Sequence, residues 1–460
     1  MLFDLKEYES KKVHFIGIGG ISMSGLAAIL LKNNIKVTGS DFKESATIER
    51  LKGDGAEIFF GHHKENITDQ DVVVYTAAIR EDNEELLRAK ELGLITYDRA
   101  EFLGHIIQNF VNSIAVTGTH GKTSTTSMLS SISLAGNTDP TILVGGFLPM
   151  IQGNYRIGQG DLIITEACEY KASFLKFPGK VAVILNIEAD HLDYYKDLQD
   201  ILDTFRKYIT MMPADGIVVA NIDDPNMAYV LENSKTKVMT FGIHKGDLVA
   251  RDITYDEDGV ATFSAYLLEQ FLCTITLRVP GEFNVYNALG AVGASMAAGI
   301  PIQAIKEGLE SYTGVDKRFQ HLYTMKGIVV IDDYAHHPSE IRNSILTALK
   351  MPHEKIHVVF QSHTYSRTRA LFDEFSEAFD AVDTLVLLPI YAAREPDTGL
   401  VSAEELGDAI RSRNTVHTVN FTEFLDAATY LKFTALSGDL IITMGAGEAV
   451  KVADILKTIL

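Results

Sequence analysis

"IAVTGTHGKTSTTSML", residues 114–129, decides how the chain is read. An apolar β-branched run, Ser113–Val116, leads into a glycine-rich turn, and Lys122 and Thr123 then open a helical pattern. A strand, turn and helix in that order make a phosphate cradle. Gly118 and Gly121 let backbone N–H groups crowd round phosphate oxygens, and the helix N-terminus adds positive potential. Thr119, His120 and Ser124 belong to the same turn, the Lys122 ammonium reaches towards terminal phosphates, and the Thr123 hydroxyl suits Mg²⁺. The usual GxxxxGK[ST] pattern places its first glycine where Val116 stands here, so the turn is a compressed variant.

Outward from this turn the chain divides into three blocks, 1–109, 110–313 and 314–460, each mixing short β-branched runs with helical patterns. That mixture predicts α/β architecture built on parallel sheets. In the first block strands are expected at Val13–Ile16, Lys36–Thr38, Ile58–Phe60 and Val72–Tyr75, with helices at Ser24–Lys32 and Asn83–Leu92. The second block adds Leu162–Thr165, Val181–Ile187 and Ile217–Ala220, and the alternation across Val249–Val279 predicts an added antiparallel pair. In the third block Ile328–Ile331, Val358–Phe360, Leu385–Leu388 and Leu440–Thr443 alternate with helices in a doubly wound pattern.

Bulk properties narrow the functional class. At 460 residues and 46% hydrophobic content the chain can bury several cores. Its formal charge is −20, with 61 acidic against 41 basic side chains, which argues against nucleic acid or an anionic membrane as partner. Cys168 and Cys273 are too few for a disulfide framework and lack metal spacing. The first twelve residues lack a signal-peptide core, and Val285–Ile300, rich in Gly and Ala, reads as a packed helix and not a membrane span. A cytoplasmic protein is expected.

Further motifs sit at predicted strand ends, where open α/β sheets bind ligands. "LIITEACEYKASF" places Glu166 past a strand with Glu169 close behind, and "VAVILNIEADHLDYY" places Glu188, Asp190, His191 and Asp193 past another. Glu166 and His191 are plausible ligands of a phosphate-bound Mg²⁺. In "VHFIGIGGISMSGLA", Gly17, Gly19 and Gly20 form a second glycine turn that suits any pyrophosphate, and Ser40 and Asp41 follow the next strand, where a ribose or base would lie. "VVIDDYAHHPSEI" gathers Asp332, Asp333, Tyr334, His336 and His337, a set able to hold a ribose or move a proton. "FQSHTYSRTRALF" adds His363, Arg367 and Arg369, and an arginine fork there suits a carboxylate or phosphate.

Taken in order, "GIGGISMSGLA", "TGTHGKTSTT", "NIEADHLDYY", "GVDKRFQ", "DDYAHHPSE" and "YAAREP" resemble the Mur ligases of peptidoglycan synthesis across nearly the whole chain. The resemblance implies a Rossmann-like N-terminal domain for a UDP-sugar, a central P-loop ATPase domain with added antiparallel strands, and a Rossmann-like C-terminal domain for an amino acid. It implies ATP and Mg²⁺, with UDP-N-acetylmuramate and L-alanine as substrates joined through an acyl phosphate. Carried over, Gly17, Gly19, Gly20, Ser40 and Asp41 serve the UDP-sugar. Gly118 to Ser124, Asn284, Asn287, Arg318 and Asp333 serve ATP, and Thr123, Glu166 and His191 hold the metal. Tyr334, His363 and Arg367 take the amino acid, and Lys122, Glu166, His191 and His336 carry the chemistry. The chain departs from the family pattern at Cys168 and Lys171 in "EACEYK", at Phe283 in "FNVYN" and at Thr364 in "SHTYSR". Two other readings stay open: a recycling ligase that adds a preformed peptide, and an NAD-dependent oxidoreductase read from the first glycine turn.

Overall fold

The structure, a computed structural model, describes residues 3–460 except Ala77, Arg394 and Thr398; Arg394 of the "YAAREP" motif thus lies outside the described residues. Three sheets follow one another along the chain. The first holds β1 (Lys12–Ile16), β2 (Lys36–Asp41), β3 (Glu57–Phe60), β4 (Val72–Tyr75) and β5 (Ile95–Asp98), all parallel, in the order β3-β2-β1-β4-β5. The order reverses beside β1, so the crevice above its carboxyl end, where Gly17–Gly20 lie, is the topological switch point.

The second sheet has ten strands: β6 (Asn112–Thr117), β7 (Thr141–Leu148), β8 (Gly153–Arg156), β9 (Leu162–Glu166), β10 (Val181–Ile184), β11 (Ile217–Asn221), β12 (Lys237–Gly242), β13 (Leu248–Tyr255), β14 (Val260–Leu267) and β15 (Gln270–Pro280). β6 lies between β9 and β10 and is parallel to both, so the turn after it opens between their carboxyl ends. Two expectations are corrected here. Val249–Val279 forms three antiparallel strands, β13 to β15, because the turns near Asp256–Gly259 and Leu268–Glu269 each reverse the chain. The strand expected over Val181–Ile187 stops at Ile184, since the Asn186 side chain is drawn off to bond His120, and a loop then carries Glu188 to His191.

The third sheet holds β16 (Gln320–Met325), β17 (Ile328–Asp333), β18 (Ile356–Phe360), β19 (Thr384–Leu387), β20 (His417–Asn420) and β21 (Leu440–Met444), in the order β16-β17-β21-β18-β19-β20. It is parallel apart from the β16–β17 hairpin.

The apolar strands pack where their pattern dictates. One core runs without interruption from Val13, Phe15 and Phe102 of the first block to Phe174, Phe205 and Tyr208 of the second. A second core fills the other face of the ten-stranded sheet, where the small-residue helix Glu282–Ala297 lies close against it. That helix begins directly after Gly281 (φ +98°). Two further cores sandwich the third sheet. Among the described residues, no helix is long and apolar enough to cross a membrane.

Candidate active site

The central turn owes its shape to two glycines in the left-handed half of φ space. Gly118 (φ +129°) passes so close to Asn186 that a Cβ would stand 3.0 Å from its backbone N and O. Gly121 (φ +84°) caps the helix Lys122–Ala135, and a Cβ there would run into the side chain of Asn287. Asn186 accepts the His120 N–H at 2.7 Å through its side chain and the Thr119 N–H at 3.0 Å through its carbonyl. Thr119 Oγ1 in turn accepts the Glu188 N–H at 2.8 Å. The loops after β6 and β10 therefore hold each other.

Lys122 folds back beneath its own turn. Its ammonium donates to Gly118 O at 2.6 Å, Thr119 O at 3.0 Å and the Glu169 carboxylate at 2.9 Å. Burial alone would lower its pKa, but the Glu169 charge, joined by that of Glu166, outweighs this and raises it. Glu169 is buried and also stands 3.7 Å from His191 Nε2. Glu166, at the end of β9, accepts the Gly145 N–H at 2.6 Å. The carboxylate near both Lys122 and His191 is thus Glu169, which no motif reading assigned a role, and Glu166 faces the neighbouring strand.

A cavity of about 400 Å³ opens beside the turn and is closed by the third block. His120, Gly121, Ser124, Asn287, Arg318 and Asp333, all expected from the sequence, line it together with Glu340 and the rings of Phe283, Tyr286 and Phe319. Asn284 stands behind Asn287, accepting its amide N–H at 3.1 Å. Desolvation pushes the Asp333 carboxyl up to about 6, although Ser344 donates to it and Arg318 is near. His120 Nδ1 lies 3.1 Å from Glu340, and its Nε2 lies 3.5 Å from Glu188. Burial works against a charged imidazole, but these carboxylates prevail and lift His120 to about 9.

His120, Glu188 and His337 present ligand atoms within 4.8 Å of one another, the spacing of a metal site. The Ser339 hydroxyl, however, stands 3.0 Å from His120 Nε2 and 2.7 Å from His337 Nδ1. That hydroxyl bridges the two imidazoles, so the trio forms a hydrogen-bonded contact between the central and third blocks. Thr123, Glu166, Glu169 and His191 offer a hydroxyl, two carboxylates and an imidazole beside the phosphate cradle, a donor chemistry that fits Mg²⁺.

A second cavity, about 540 Å³, is walled in part by His191. Its walls include Tyr170, Asp190 and His191 from the central block and His363, Thr364, Arg367 and Glu395 from the third. Arg367 donates to Asp190 at 3.2 Å and stands 3.2 Å from His363 Nδ1. The Asp190 carboxylate is held well below its usual range: burial opposes this, but His191 and Arg367 overcome it. His336 and His363 are each brought down to about 4, chiefly by burial, so both are neutral near pH 7. Tyr334 packs its ring under Arg318 and against His336 and lines neither cavity.

The first glycine turn lines neither cavity. Gly17 and Ile18 donate to Ser40 O, and Gly19 N–H donates to Asp41 at 2.9 Å. The Ser40 hydroxyl donates at 2.6 Å to the buried Glu85, which His62 also contacts at 3.1 Å.

Models of three parts of the Mur ligases match nearly the whole chain: "Mur ligase family, catalytic domain" over residues 12–111, "Mur ligase middle domain" over 116–295 and "Mur ligase, glutamate ligase domain" over 317–447. The chain belongs to the Mur ligase family, as its motifs indicated, and membership removes the oxidoreductase reading of the first turn. Its similarity within the family is more specific. It is 51% identical over 455 residues to the UDP-N-acetylmuramate–L-alanine ligase of Clostridium perfringens, covering 99% of both chains. The Clostridium beijerinckii enzyme of the same name is 50% identical over 455 residues, again 99% of each. Among solved structures, the UDP-N-acetylmuramate–alanine ligase of Thermotoga maritima superposes with a TM-score of 0.80 at 28% identity, covering 97% of this chain and 98% of that one. A murein peptide ligase from Psychrobacter arcticus shares the fold, with a TM-score of 0.71 at 22% identity over 97% of this chain and 98% of that one.

Proposed function

We propose that this protein joins L-alanine to the carboxylate of UDP-N-acetylmuramate at the expense of ATP, through an acyl phosphate, in peptidoglycan precursor synthesis. The carrying observation is the closeness of the two cavities: one loop puts Glu188 in the wall of the first and Asp190 and His191 in the wall of the second, and Glu169, 3.7 Å from His191, holds Lys122 of the phosphate turn at 2.9 Å. We assign residues 1–109 to the sugar nucleotide, 110–313 to ATP and 314–460 to the amino acid, in the cytoplasm where these substrates occur.

In this reading Gly118 to Ser124 cradle the phosphates, Asp333 takes the ribose, and Asn284 and Asn287 border the adenine. An oxygen of the substrate carboxylate attacks the γ-phosphorus as the bond to the β-phosphate oxygen breaks, releasing ADP. The uncharged amine then attacks the acyl carbon and loses a proton, and inorganic phosphate leaves with the electrons of the C–O bond. Lys122 balances charge on the transferred phosphoryl group, and protonated His120 adds positive charge to the cavity wall. Thr123, Glu166 and His191 would hold Mg²⁺, which supplies electrostatic stabilisation of the phosphate oxygens when bound. In the second cavity Arg367 grips the amino acid's carboxylate with His363 beside it; neutral His336, whose ring lies 6.1 Å from that of His363 and against Tyr334, can accept a proton. The contacts of His120 with Ser339 and of Arg367 with Asp190 draw the central and third blocks together, which excludes water that would hydrolyse an acyl phosphate.

Incubating the protein with UDP-N-acetylmuramate, ATP, Mg²⁺ and a mixed pool of amino acids and tripeptide tests this by mass spectrometry. The expected products are UDP-N-acetylmuramyl-L-alanine and ADP. Turnover confined to the tripeptide would instead establish the recycling ligase.

A further inference from the structure

Thr364 holds a backbone conformation that its own side chain opposes. Its φ is +69° and its ψ +142°, close to the region that only glycine occupies readily. Among the described residues with positive φ other than glycine, it alone is β-branched. A branched Cβ there crowds the backbone, and such strain persists only where surrounding contacts over-determine it. Those contacts come largely from the loop after β19. The Thr364 N–H donates to Tyr391 O at 2.9 Å, and the Tyr391 N–H donates back to Ser362 O at 2.8 Å. His363 pairs with Tyr391 in the same short bridge. On the other side the Thr364 carbonyl accepts the hydroxyl of the fully buried Thr368 at 2.7 Å. Glu395 then holds Ser366 through its N–H, at 2.8 Å, and through its hydroxyl.

The strained residue sits in the wall of the second cavity, on the loop that also brings His363 and Arg367 there. Two more residues of that wall, His191 and Ala393, have positive φ, +55° and +53°. The Thr364 side chain has a task at this place. Its Oγ1 accepts the Arg367 N–H at 3.4 Å and caps the short helix Tyr365–Ala370. The residue so capped is the one whose guanidinium reaches Asp190 at 3.2 Å and stands 3.2 Å from His363 Nδ1. Glycine would relieve the backbone but would leave that N–H without its hydroxyl.

We propose that Thr364 is a positioning residue for the amino-acid substrate: the strained turn places its hydroxyl so that it fixes the backbone from which Arg367 reaches the second cavity. This rests on the amino-acid reading of that cavity. Stability and substrate affinity then oppose each other at this position. A residue kept only for folding would move both in the same direction.

Thermal melts and steady-state kinetics with UDP-N-acetylmuramate, ATP and L-alanine test this on wild-type, Thr364→Gly, Thr364→Ala and Thr364→Ser protein. Loss of the hydroxyl in Thr364→Gly and Thr364→Ala is expected to raise the KM for L-alanine about tenfold, with kcat and the KM for ATP within about twofold of wild type. Thr364→Ser, which keeps the hydroxyl, should recover most of that loss. Thr364→Gly relieves the backbone, so its melting temperature is expected to rise by about 1–3 °C, whereas Thr364→Ala keeps the strain and should show no rise. A wild-type KM for L-alanine in Thr364→Gly or Thr364→Ala overturns the proposal, and so does an equal rise in the KM for ATP. A Thr364→Gly protein that melts lower than wild type, or does not fold, overturns it too, because no strain would then be relieved. Wild-type protein that turns over the tripeptide but not L-alanine contradicts the amino-acid reading itself, whatever Thr364 does.

Discussion

The two glycine turns share a strand–turn–helix design but differ in how their nearby cations are balanced. At the central turn Lys122 is paired in advance, held by Glu169 and two carbonyls of its own loop. At the first turn Arg99 has one long hydrogen bond to Ser22. A phosphate arriving at the central turn must draw Lys122 away from an existing partner, whereas Arg99 beside the first turn has only the Ser22 hydroxyl to give up. A prearranged charge pair suits a group that has to be placed accurately as a phosphoryl group transfers.

The largest expected effect separates the turns. Lys122→Ala should cut ATP-dependent product formation by about 10³-fold or more, as loss of a main transition-state stabiliser does, while UDP-N-acetylmuramate affinity stays near wild type. ADP release and calorimetry measure the two, and equal losses in both would break the contrast between the turns.

A second effect concerns the charges around the central cavity. Asp333 has its carboxyl raised to about 6, so it is ionised at pH 7 and becomes protonated as pH falls through that value. The KM for ATP should therefore rise below pH 6, by about tenfold at pH 5. Asp333→Asn should start from a raised KM and show a flat profile over the same range.

The smallest effect is on stability. A histidine raised to about 9 binds its proton more tightly in the folded than in the unfolded state. The stability contributed by His120 is thus fully present below its unfolded pKa, near 6.5, and drains as pH rises through 9. Melting temperature should fall by a few degrees between pH 7 and pH 9.5. Glu340→Gln, which removes a main cause of the shift, should flatten that fall.

Much of this was legible in the chain. The strands around both glycine turns, β1, β2, β6, β9 and β10, carry dense β-branched runs and stood out for that reason. Those that did not stand out are weaker signals: β5 and β20 are short and partly polar, and β7 is interrupted by Gly145 and Gly146. β8 and β16 are half-exposed edge strands. In the site, the phosphate cradle declared itself because its residues are contiguous. Glu169 and Glu340 did not. Each gains its meaning from a partner far along the chain: Glu169 from Lys122 and Glu340 from His120. No local spacing encodes such pairs: the order of the second sheet, which sets β6 beside β9, brings Lys122 to Glu169, and the packing of the third block on the second brings Glu340 to His120.

The central claim is that the substrate carboxylate is phosphorylated by a nucleotide seated on Gly118–Thr123. UDP-N-acetylmuramate labelled with ¹⁸O in its carboxylate tests it most directly, by turnover with ATP and L-alanine and mass analysis of the inorganic phosphate released. An acyl phosphate requires one ¹⁸O atom to pass into each phosphate. Phosphate free of label, with amide formed at the normal rate, would contradict the account.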